Sequence, residues 1–274
     1  MLLSNIHTHT RFSDGRDSAE DMVRAAIERG FTSLGFSDHG FAPHDDAAMR
    51  AEVEAEYRAE ILRLKKAYAG QIEIALGYEH DFSAAGADLS PYDYVIESVH
   101  FFRKDGCFVP IDYSPECFDG AVHALYRGDY YAMAEDYFAE VCRSFLQSDA
   151  EVIGHIGLIT KFNEGNCRFD MEDDRYLFPA TEALRCAVDR GRIIEVNTGA
   201  MSRGYRSAPY PGMALLGVLR ALGGRITITS DCHRAEWIDF GFDRALQMVR
   251  ACGFGEVWCW IDGGFRAVDI STLG

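Results

Sequence analysis

The sequence predicts a closed α/β barrel, in which parallel strands alternate with helices. Three observations predict it. Short, β-rich apolar runs alternate with helical patterns from one end of the chain to the other. The 274 residues are close to the roughly 250 that one such barrel commonly fills, so we expect a single domain spanning residues 1–274. No glycine-rich phosphate loop follows the first apolar run, which disfavours an open dinucleotide-binding sheet.

The predicted strands are short apolar runs rich in β-branched and aromatic residues. They occupy residues 2–6, 31–36, 72–76, 92–99, 152–156, 193–196, 226–229 and 257–261. An order of strand, helix and strand that repeats seven or eight times requires a parallel sheet with helices outside it. Residues 101–129 fit this order poorly, and we expect a long loop there over one end of the barrel.

Two of the intervening segments have apolar residues three or four positions apart, which is the spacing of one helix face. The first carries Val53, Tyr57, Ile61, Leu64 and Tyr68. The second carries Tyr131, Ala134, Phe138, Val141 and Phe145. Ser18 and Asp21 resemble a capping box that opens a further helix. Helices are expected to end at three glycines, Gly30, Gly70 and Gly191.

The composition excludes several classes of protein. There are 43 acidic and 27 basic residues, and the formal net charge of −16 disfavours non-specific binding to nucleic acid or anionic membranes. A small anionic substrate would therefore need a local positive centre. No apolar run reaches the roughly 20 residues of a membrane span, and the N-terminus does not resemble a signal peptide. We therefore expect a cytoplasmic protein, and the sequence carries no signal for an oligomeric state.

The eight cysteines are scattered and contain no CxxC pair. Free cysteine usually behaves as a small buried hydrophobic residue, so we expect all of them to be reduced core residues. They are Cys107, Cys117, Cys142, Cys167, Cys186, Cys232, Cys252 and Cys259.

Metal-binding residue types occur at the downstream end of one predicted strand after another. They are His7, His9, Asp38, His39, Glu79, His80, His100, His155, Glu195, Asn197, Asp231 and His233. Because the carboxyl ends of parallel barrel strands converge on one face, we expect most of these side chains to meet in space. Imidazole with carboxylate suits Zn, Mn or Fe, and six histidines with several carboxylates exceed the needs of one four-coordinate ion. The sequence therefore predicts several metal ions.

Strand alternation divides this set. His7 and His9 are two residues apart, so both imidazoles can point to the same side, whereas His80 next to Glu79 would point to the opposite side. Glu195 is equally compatible with a ligand and with a group that supports a ligand. His44 and His123 lie outside the pattern, and we interpret both as solvated loop residues.

The order and spacing of these residues resemble the polymerase and histidinol phosphatase (PHP) superfamily, and within it the histidinol-phosphate phosphatase branch. The resemblance runs from residue 6 to about residue 233 and rests on a series of short motifs. They are His7-Thr8-His9-Thr10, Phe12-Ser13-Asp14-Gly15, Ser37-Asp38-His39, Gly77-Tyr78-Glu79, Ser98-Val99-His100, Gly154-His155 and Ser230-Asp231-Cys232-His233.

The resemblance implies a distorted, TIM-like (β/α)7 barrel that holds three divalent ions. One ion would be bound by His7, His9, Glu79 and Asp231. A second would be bound by Glu79, His100 and His155, with Glu79 as the bridging ligand. The third would be bound by His39, His233 and Asp14. Many members of the superfamily have a histidine where this chain has Asp14.

The resemblance also implies a phosphomonoesterase that hydrolyses L-histidinol phosphate to L-histidinol and phosphate, a step in histidine biosynthesis. A hydroxide that bridges two ions would attack phosphorus in line, and Asp231 or His233 is the candidate general acid. Arg203, helped by Lys161 or Arg206, would bind the phosphate. Asp112 and Glu116 are candidates for recognising the rest of the substrate.

Two alternatives remain open at this point. The same cluster could act on nucleotides or other small phosphate esters, although the acidic surface disfavours long polynucleotides. The barrel could instead be a non-catalytic metal-binding module. Loss of ligands is the expected signature of such a module, and nearly all of the ligands are present.

Overall fold

A computed structural model describes residues 4–84 and 86–273 of the chain. Its strands are β1 (Ser4–Asn5), β2 (Ser33–Phe36), β3 (Glu73–Asp81), β4 (Tyr94–Ser98), β5 (Phe101–Lys104), β6 (Cys107–Pro110), β7 (Val152–Ile153), β8 (Ile193–Asn197), β9 (Arg225–Thr229), β10 (Glu256–Trp260) and β11 (Phe265–Asp269). Its helices are α1 (Ala19–Glu28), α2 (Glu54–Ala67), α3 (Pro115–Tyr126), α4 (Tyr130–Gln147), α5 (Asp174–Asp189), α6 (Gly199–Ser202), α7 (Met213–Ala221) and α8 (Phe242–Ala251).

Seven strands form one parallel sheet in the order β1, β2, β3, β4, β7, β8, β9. A parallel bridge between Thr8 and Cys232 joins the segment after β1 to the segment after β9, so the sheet nearly closes on itself. Helices pack around the outside. The predicted seven-stranded α/β barrel is therefore confirmed. The first two residues of the predicted strand 2–6 lie outside the described residues.

The barrel interior is filled by one compact apolar cluster. Its buried members are Ile6, Ala75, Tyr94, Ile96, Val152, Ile193 and Trp260. A second and larger apolar layer separates the strands from the surrounding helices. This cluster fills the barrel toward the amino ends of its strands. The side chains at the carboxyl ends of the strands are polar.

The helix predictions from periodicity are confirmed. Helix α1 begins with the capping box of Ser18 and Asp21, and the stripe residues Tyr57, Ile61 and Leu64 of α2 are buried. The stripe from Ala134 to Phe145 on α4 is buried in the same way. Among the described residues, no helix is both long enough and apolar enough to span a bilayer.

The eighth predicted strand, 257–261, is not part of the barrel. It forms β10, which pairs antiparallel with β11. Asp262 and Gly263 both have positive φ in the two-residue turn, the geometry that Asp-Gly favours in hairpins. Trp260 packs on Tyr94 with ring centroids 5.4 Å apart, and its backbone N–H donates to the hydroxyl of Ser4. The run is apolar because it covers the amino end of the barrel.

The prediction of a long loop at residues 101–129 is also wrong. Strands β5 and β6 form an antiparallel hairpin there, and α3 follows. The hairpin turn is again Asp-Gly, with φ of 50° at Asp105 and 83° at Gly106. Helix α3 begins with Pro115 in its first turn, and the Ser114 hydroxyl accepts the N–H of Cys117.

The expectation that all cysteines are reduced core residues is wrong as well. Cys142 of α4 and Cys186 of α5 form a disulfide bond, because the two helices bring their Cα atoms to 5.9 Å. Cys107, Cys117 and Cys167 are exposed, whereas Cys232 and Cys259 are buried as expected.

Candidate metal centre

The metal-binding side chains that the sequence singled out lie largely together at the carboxyl end of the barrel. Each comes from the end of a barrel strand or from the loop after it. The residues are His7 and His9 after β1, Asp14 in the following loop, His39 after β2, Glu79 in β3, His100 after β4, His155 after β7, and Asp231 and His233 after β9. The arrangement of the strands therefore brings together residues that are more than 200 positions apart in sequence.

Glu79 is the centre of this cluster and is buried. Its Oε2 atom lies 3.3 Å from Nε2 of His7, 3.5 Å from Nε2 of His9 and 2.9 Å from Nδ1 of His39. Its Oε1 atom lies 3.1 Å from Nε2 of His155 and 3.7 Å from Nε2 of His100. The two carboxylate oxygens thus face different groups of imidazoles, which is the arrangement of a carboxylate that can bridge two cations.

Asp231 completes the group around His7 and His9. Its Oδ1 atom lies 3.3 Å from Nε2 of His9 and 3.8 Å from Nε2 of His7. Among the described residues, both ring nitrogens of His9, Nε2 of His7 and Oε2 of Glu79 are buried without a hydrogen-bond partner. Unpaired buried polar atoms are costly, and their convergence fits a bound cation.

A second group of ligand atoms surrounds Asp14. Its Oδ2 atom lies 3.0 Å from Nε2 of His233, and its Oδ1 atom lies 3.7 Å from Nδ1 of His9 and 3.8 Å from Nε2 of His39. One ligand atom from each of these four residues lies within 4.8 Å of the others. The carboxylate at position 14 therefore occupies a place from which it can bind a metal ion with His39 and His233.

Buried charges of opposite sign in the cluster balance one another. Burial opposes the charge on Glu79, but His7, His39 and His100 hold its pKa well below the usual range. Burial also opposes protonation of His39 and His100, yet Glu79 is the main influence that raises their pKa values, to about 10 and about 9. Burial, with the charges of His233 and His39, lowers the pKa of His9 to about 3. Metal binding here would release protons from imidazoles.

Two carboxylates outside the cluster contact the Nδ1 atoms of imidazoles whose Nε2 atoms face Glu79. Oε1 of Glu195 lies 2.6 Å from Nδ1 of His7, whereas Nε2 of the same ring faces Glu79. Oδ2 of Asp81 lies 3.1 Å from Nδ1 of His100 and accepts its backbone N–H at 2.7 Å. Asp81 is not among the residues that the sequence pattern singles out. Its position two residues after Glu79 on one strand was the available signal, because alternation places both on the same side.

Three residues of the predicted set, Asp38, His80 and Asn197, make hydrogen bonds outside the cluster. Asp38 accepts the backbone N–H groups of Thr10 and Ser13, which fixes the loop that carries Asp14. His80 points away from the cluster, as expected, and contacts Glu97. Asn197 donates its side-chain amide to Glu195 and accepts the N–H of Gly199.

The expectation of two solvated loop histidines is not met. His44 is partly buried, stacks on Phe108 with ring centroids 3.8 Å apart, and lies 2.6 Å from the Ser83 hydroxyl. His123 is exposed, but it lies on α3 rather than in a loop. The hairpin and helix that replace the expected long loop explain both differences.

A cavity of about 390 Å³ opens above the cluster. Its lining includes four basic residues, Arg16, Lys161, Arg203 and Arg234, together with the four aspartates Asp14, Asp45, Asp112 and Asp231. Nη1 of Arg203 lies 3.1 Å from Nδ1 of His233, and Nη2 donates to Oδ2 of Asp231 at 3.0 Å. The positive groups lie where an anion would meet the cluster, in a chain whose net charge is −16.

Of the other residues predicted to contact substrate, two line the cavity and two do not. Lys161 and Asp112 line the cavity and pair with each other, with Nζ 3.0 Å from Oδ2. Arg206 is not among the lining residues, and its guanidinium donates to the carbonyl of Thr160. Glu116 is exposed on α3, away from the cavity lining. Arg16 and Arg234 are not predicted from the sequence, because nothing in the pattern sets these loop arginines apart.

A nearly closed parallel barrel with imidazoles and carboxylates gathered at its carboxyl end defines an α/β barrel protein whose side-chain clusters are able to bind metal. The sequence of residues 5–199 matches the PHP domain. The chain belongs to the PHP domain family.

Individual proteins resemble the chain over most of its length. It is 27% identical over 265 residues to the histidinol-phosphatase of Bacillus subtilis (strain 168), a match that covers 88% of this chain and 97% of the relative. A candidate histidinol phosphatase, HisK from Listeria monocytogenes, has a similar structure, with a TM-score of 0.78, 22% identity and coverage of 89% of this chain and 99% of that one.

A second solved structure is that of the histidinol phosphate phosphatase HisK from Lactococcus lactis subsp. lactis Il1403, in complex with zinc, L-histidinol and phosphate. Its TM-score is 0.65, with 21% identity and coverage of 97% of this chain and all of that one. At this level of identity, the two structural likenesses show a shared fold.

Proposed function

We propose that this chain is a metal-dependent phosphomonoesterase that hydrolyses L-histidinol phosphate to L-histidinol and phosphate. The observation that carries the proposal is the position of Glu79, whose two oxygens face five imidazoles beneath a cavity whose lining includes Arg203 and Lys161. The name of the Bacillus subtilis relative and the zinc, histidinol and phosphate in the Lactococcus lactis structure support the choice of substrate.

In this proposal the cluster holds three divalent ions, with Zn, Mn and Fe as the candidates. One ion is bound by His7, His9, Glu79 and Asp231. A second is bound by Glu79, His100 and His155. The third is bound by Asp14, His39 and His233. When bound, the ions would neutralise phosphate charge and make hydroxide available at neutral pH for an in-line attack on phosphorus.

Arg203 and Lys161 bind the phosphoryl group in this proposal. Arg203 follows helix α6 and lines the cavity, and its contacts with Asp231 and His233 fix the guanidinium beside the cluster. Lys161 is mostly buried in the cavity wall and is held by Asp112. These fixed cations stabilise charge on the phosphoryl oxygens without first having to reorganise. Arg206 supports the wall through its contact with Thr160.

Asp231 and His233 are the two candidates for the general acid that protonates the leaving alkoxide. Burial opposes the charge on Asp231, but Arg203 and His7 hold its pKa well below the usual range. Its carboxylate is therefore an anion at neutral pH with no proton to donate, which favours His233 over Asp231 as the general acid. His233 lines the cavity, so its imidazole is placed to donate a proton to the leaving alkoxide of the substrate.

The test is release of inorganic phosphate from L-histidinol phosphate, measured beside a panel of nucleotides on protein purified without chelator. We expect a clear preference for L-histidinol phosphate. A preference for nucleotides would refute this choice of substrate within the same chemistry. Absence of hydrolysis from every substrate by fully metal-loaded protein would favour a non-catalytic metal-binding module.

A further inference from the structure

Glu195 is a buried carboxylate that faces three hydrogen-bond donors at once. It lies on β8 and is fully excluded from solvent. Its Oε1 atom lies 2.6 Å from Nδ1 of His7. Its Oε2 atom accepts the backbone N–H of His155 at 2.9 Å and the side-chain amide of Asn197 at 3.1 Å. Glu195 therefore contacts His7 and His155, which belong to two different proposed ligand sets.

The contact with His7 determines which of its ring nitrogens carries the proton. A carboxylate can only accept hydrogen bonds, so Nδ1 of His7 must donate. In the neutral ring, Nε2 then holds a free lone pair. That atom is buried without a partner among the described residues and points toward Glu79 and Asp231.

We propose that Glu195 is the positioning residue that prepares the cluster for metal. It holds His7 in the tautomer whose Nε2 can bind a cation, and it fixes the backbone at His155 on the other side of Glu79. The inference rests on the proposed function only in requiring that metal ions occupy the cluster, and it does not depend on which ester is hydrolysed.

The variant Glu195→Gln tests this proposal because an amide cannot satisfy three donors. If the amide oxygen faces His7, the amide NH₂ meets the N–H of His155 and the amide of Asn197. If the amide is turned the other way, its NH₂ faces Nδ1 of His7 and drives the proton to Nε2, which removes the ligand lone pair. Either orientation disturbs one proposed ligand.

The barrel also offers a matched control in Glu97. This glutamate is equally buried and also contacts an imidazole, because both of its oxygens lie 3.1 to 3.2 Å from Nδ1 of His80. His80 belongs to none of the ligand groups. Glu97 faces one side-chain donor among the described residues, so a glutamine there can still accept that hydrogen bond through its amide oxygen.

The experiment is a zinc titration of metal-free protein against a competing chelator, with circular dichroism to verify folding. We expect Glu195→Gln to bind zinc about 10- to 100-fold more weakly than the unmodified protein, the usual effect of losing a carboxylate behind a ligand histidine. Glu195→Asp, which keeps an acceptor-only group, should bind zinc better than the glutamine variant. Glu97→Gln should stay within about twofold of the unmodified protein.

Unchanged zinc affinity in Glu195→Gln, or an equal loss in Glu97→Gln, would overturn the proposal. Nitrogen-15 NMR of histidine in the zinc-loaded, unmodified protein is a second test that does not depend on a variant that folds. We expect a proton on Nδ1 of His7, and a proton-free Nδ1 would also overturn the proposal. Neither measurement uses substrate, so a protein that binds zinc as described but leaves L-histidinol phosphate intact would refute the proposed function alone.

Discussion

Arg203 is joined to Asp231 by an ion pair in which Nη2 lies 3.0 Å from Oδ2. The other oxygen of the same carboxylate, Oδ1, lies 3.3 Å from Nε2 of His9. The Asp231 side chain therefore connects Arg203 in the cavity wall to the proposed metal cluster. The backbone of Asp231 is in the left-handed region, with φ of 45°, which turns the chain sharply after β9.

We predict that Arg203→Lys lowers kcat for L-histidinol phosphate by about 10²- to 10³-fold, the usual effect of removing one preorganised donor to a developing charge. A lysine cannot reproduce the two-pronged contact of a guanidinium. Steady-state kinetics and elemental analysis on the same samples test this prediction. The zinc content should remain that of the unmodified protein, and a parallel loss of zinc would show that Arg203 acts through the metal cluster instead.

Gly199 gives a second test of the same contact. A Cβ atom at this position would lie 2.5 Å from Oδ2 of Asp231 and 2.8 Å from Nη2 of Arg203. We predict that Gly199→Ala forces the pair apart and lowers kcat/KM by at least about tenfold while the barrel remains folded. Gly217→Ala is the control, because a Cβ on this exposed helical residue meets nothing within 4 Å. Equal activities in the two variants would contradict the prediction.

The residues that the sequence located well are those whose position follows from strand direction. His7, Glu79 and His233 could be assigned to one rim because parallel strands all end on the same side of a barrel. The supporting residues were harder to find, because strand direction alone does not determine which side chains face each other. Asp81 pairs with His100 across the two neighbouring strands β3 and β4, a contact that depends on their register.

The two antiparallel hairpins were missed for a different reason. Their Asp-Gly turns at 105–106 and 262–263 are strong local hairpin signals. The alternating strand and helix pattern of the barrel runs along most of the chain and obscures these local signals. The disulfide between Cys142 and Cys186 depends on how two helices pack, and cysteine spacing does not reveal that.

Asp14 allows the third proposed ion to be tested by itself. We predict that Asp14→Asn removes about one of three bound ions, because an amide is a weaker ligand for a transition metal than a carboxylate. The two ions that we propose to share Glu79 as a ligand should remain, because Asp14 is in neither of their proposed ligand groups. Elemental analysis after dialysis against buffer with trace zinc measures this change. Full retention of three ions, or loss of all three, would contradict the assignment.

The chelated protein should lose stability as the pH rises. The pKa values of His39 and His100 are raised from 6.5 to about 10 and about 9 when the chain folds. A raised pKa stabilises the folded state fully below the unfolded value of 6.5, and this contribution disappears as the pH rises through 9 and 10. We therefore predict a falling Tm between about pH 6.5 and 10 in the presence of chelator. Zinc-loaded protein should show a smaller decrease, since its imidazoles are already unprotonated.

Glu79 should be the least replaceable residue of the cluster, because both of its oxygens face imidazoles of different ligand groups. We predict that Glu79→Gln abolishes turnover and removes more than one ion per chain, since the amide can offer only one good ligand atom. The barrel should still fold, because the apolar cluster beneath Glu79 is untouched. Phosphate release, elemental analysis and circular dichroism together test these statements, with Glu97→Gln as the control. A Glu79→Gln protein that keeps its full metal content and activity would exclude the bridging role.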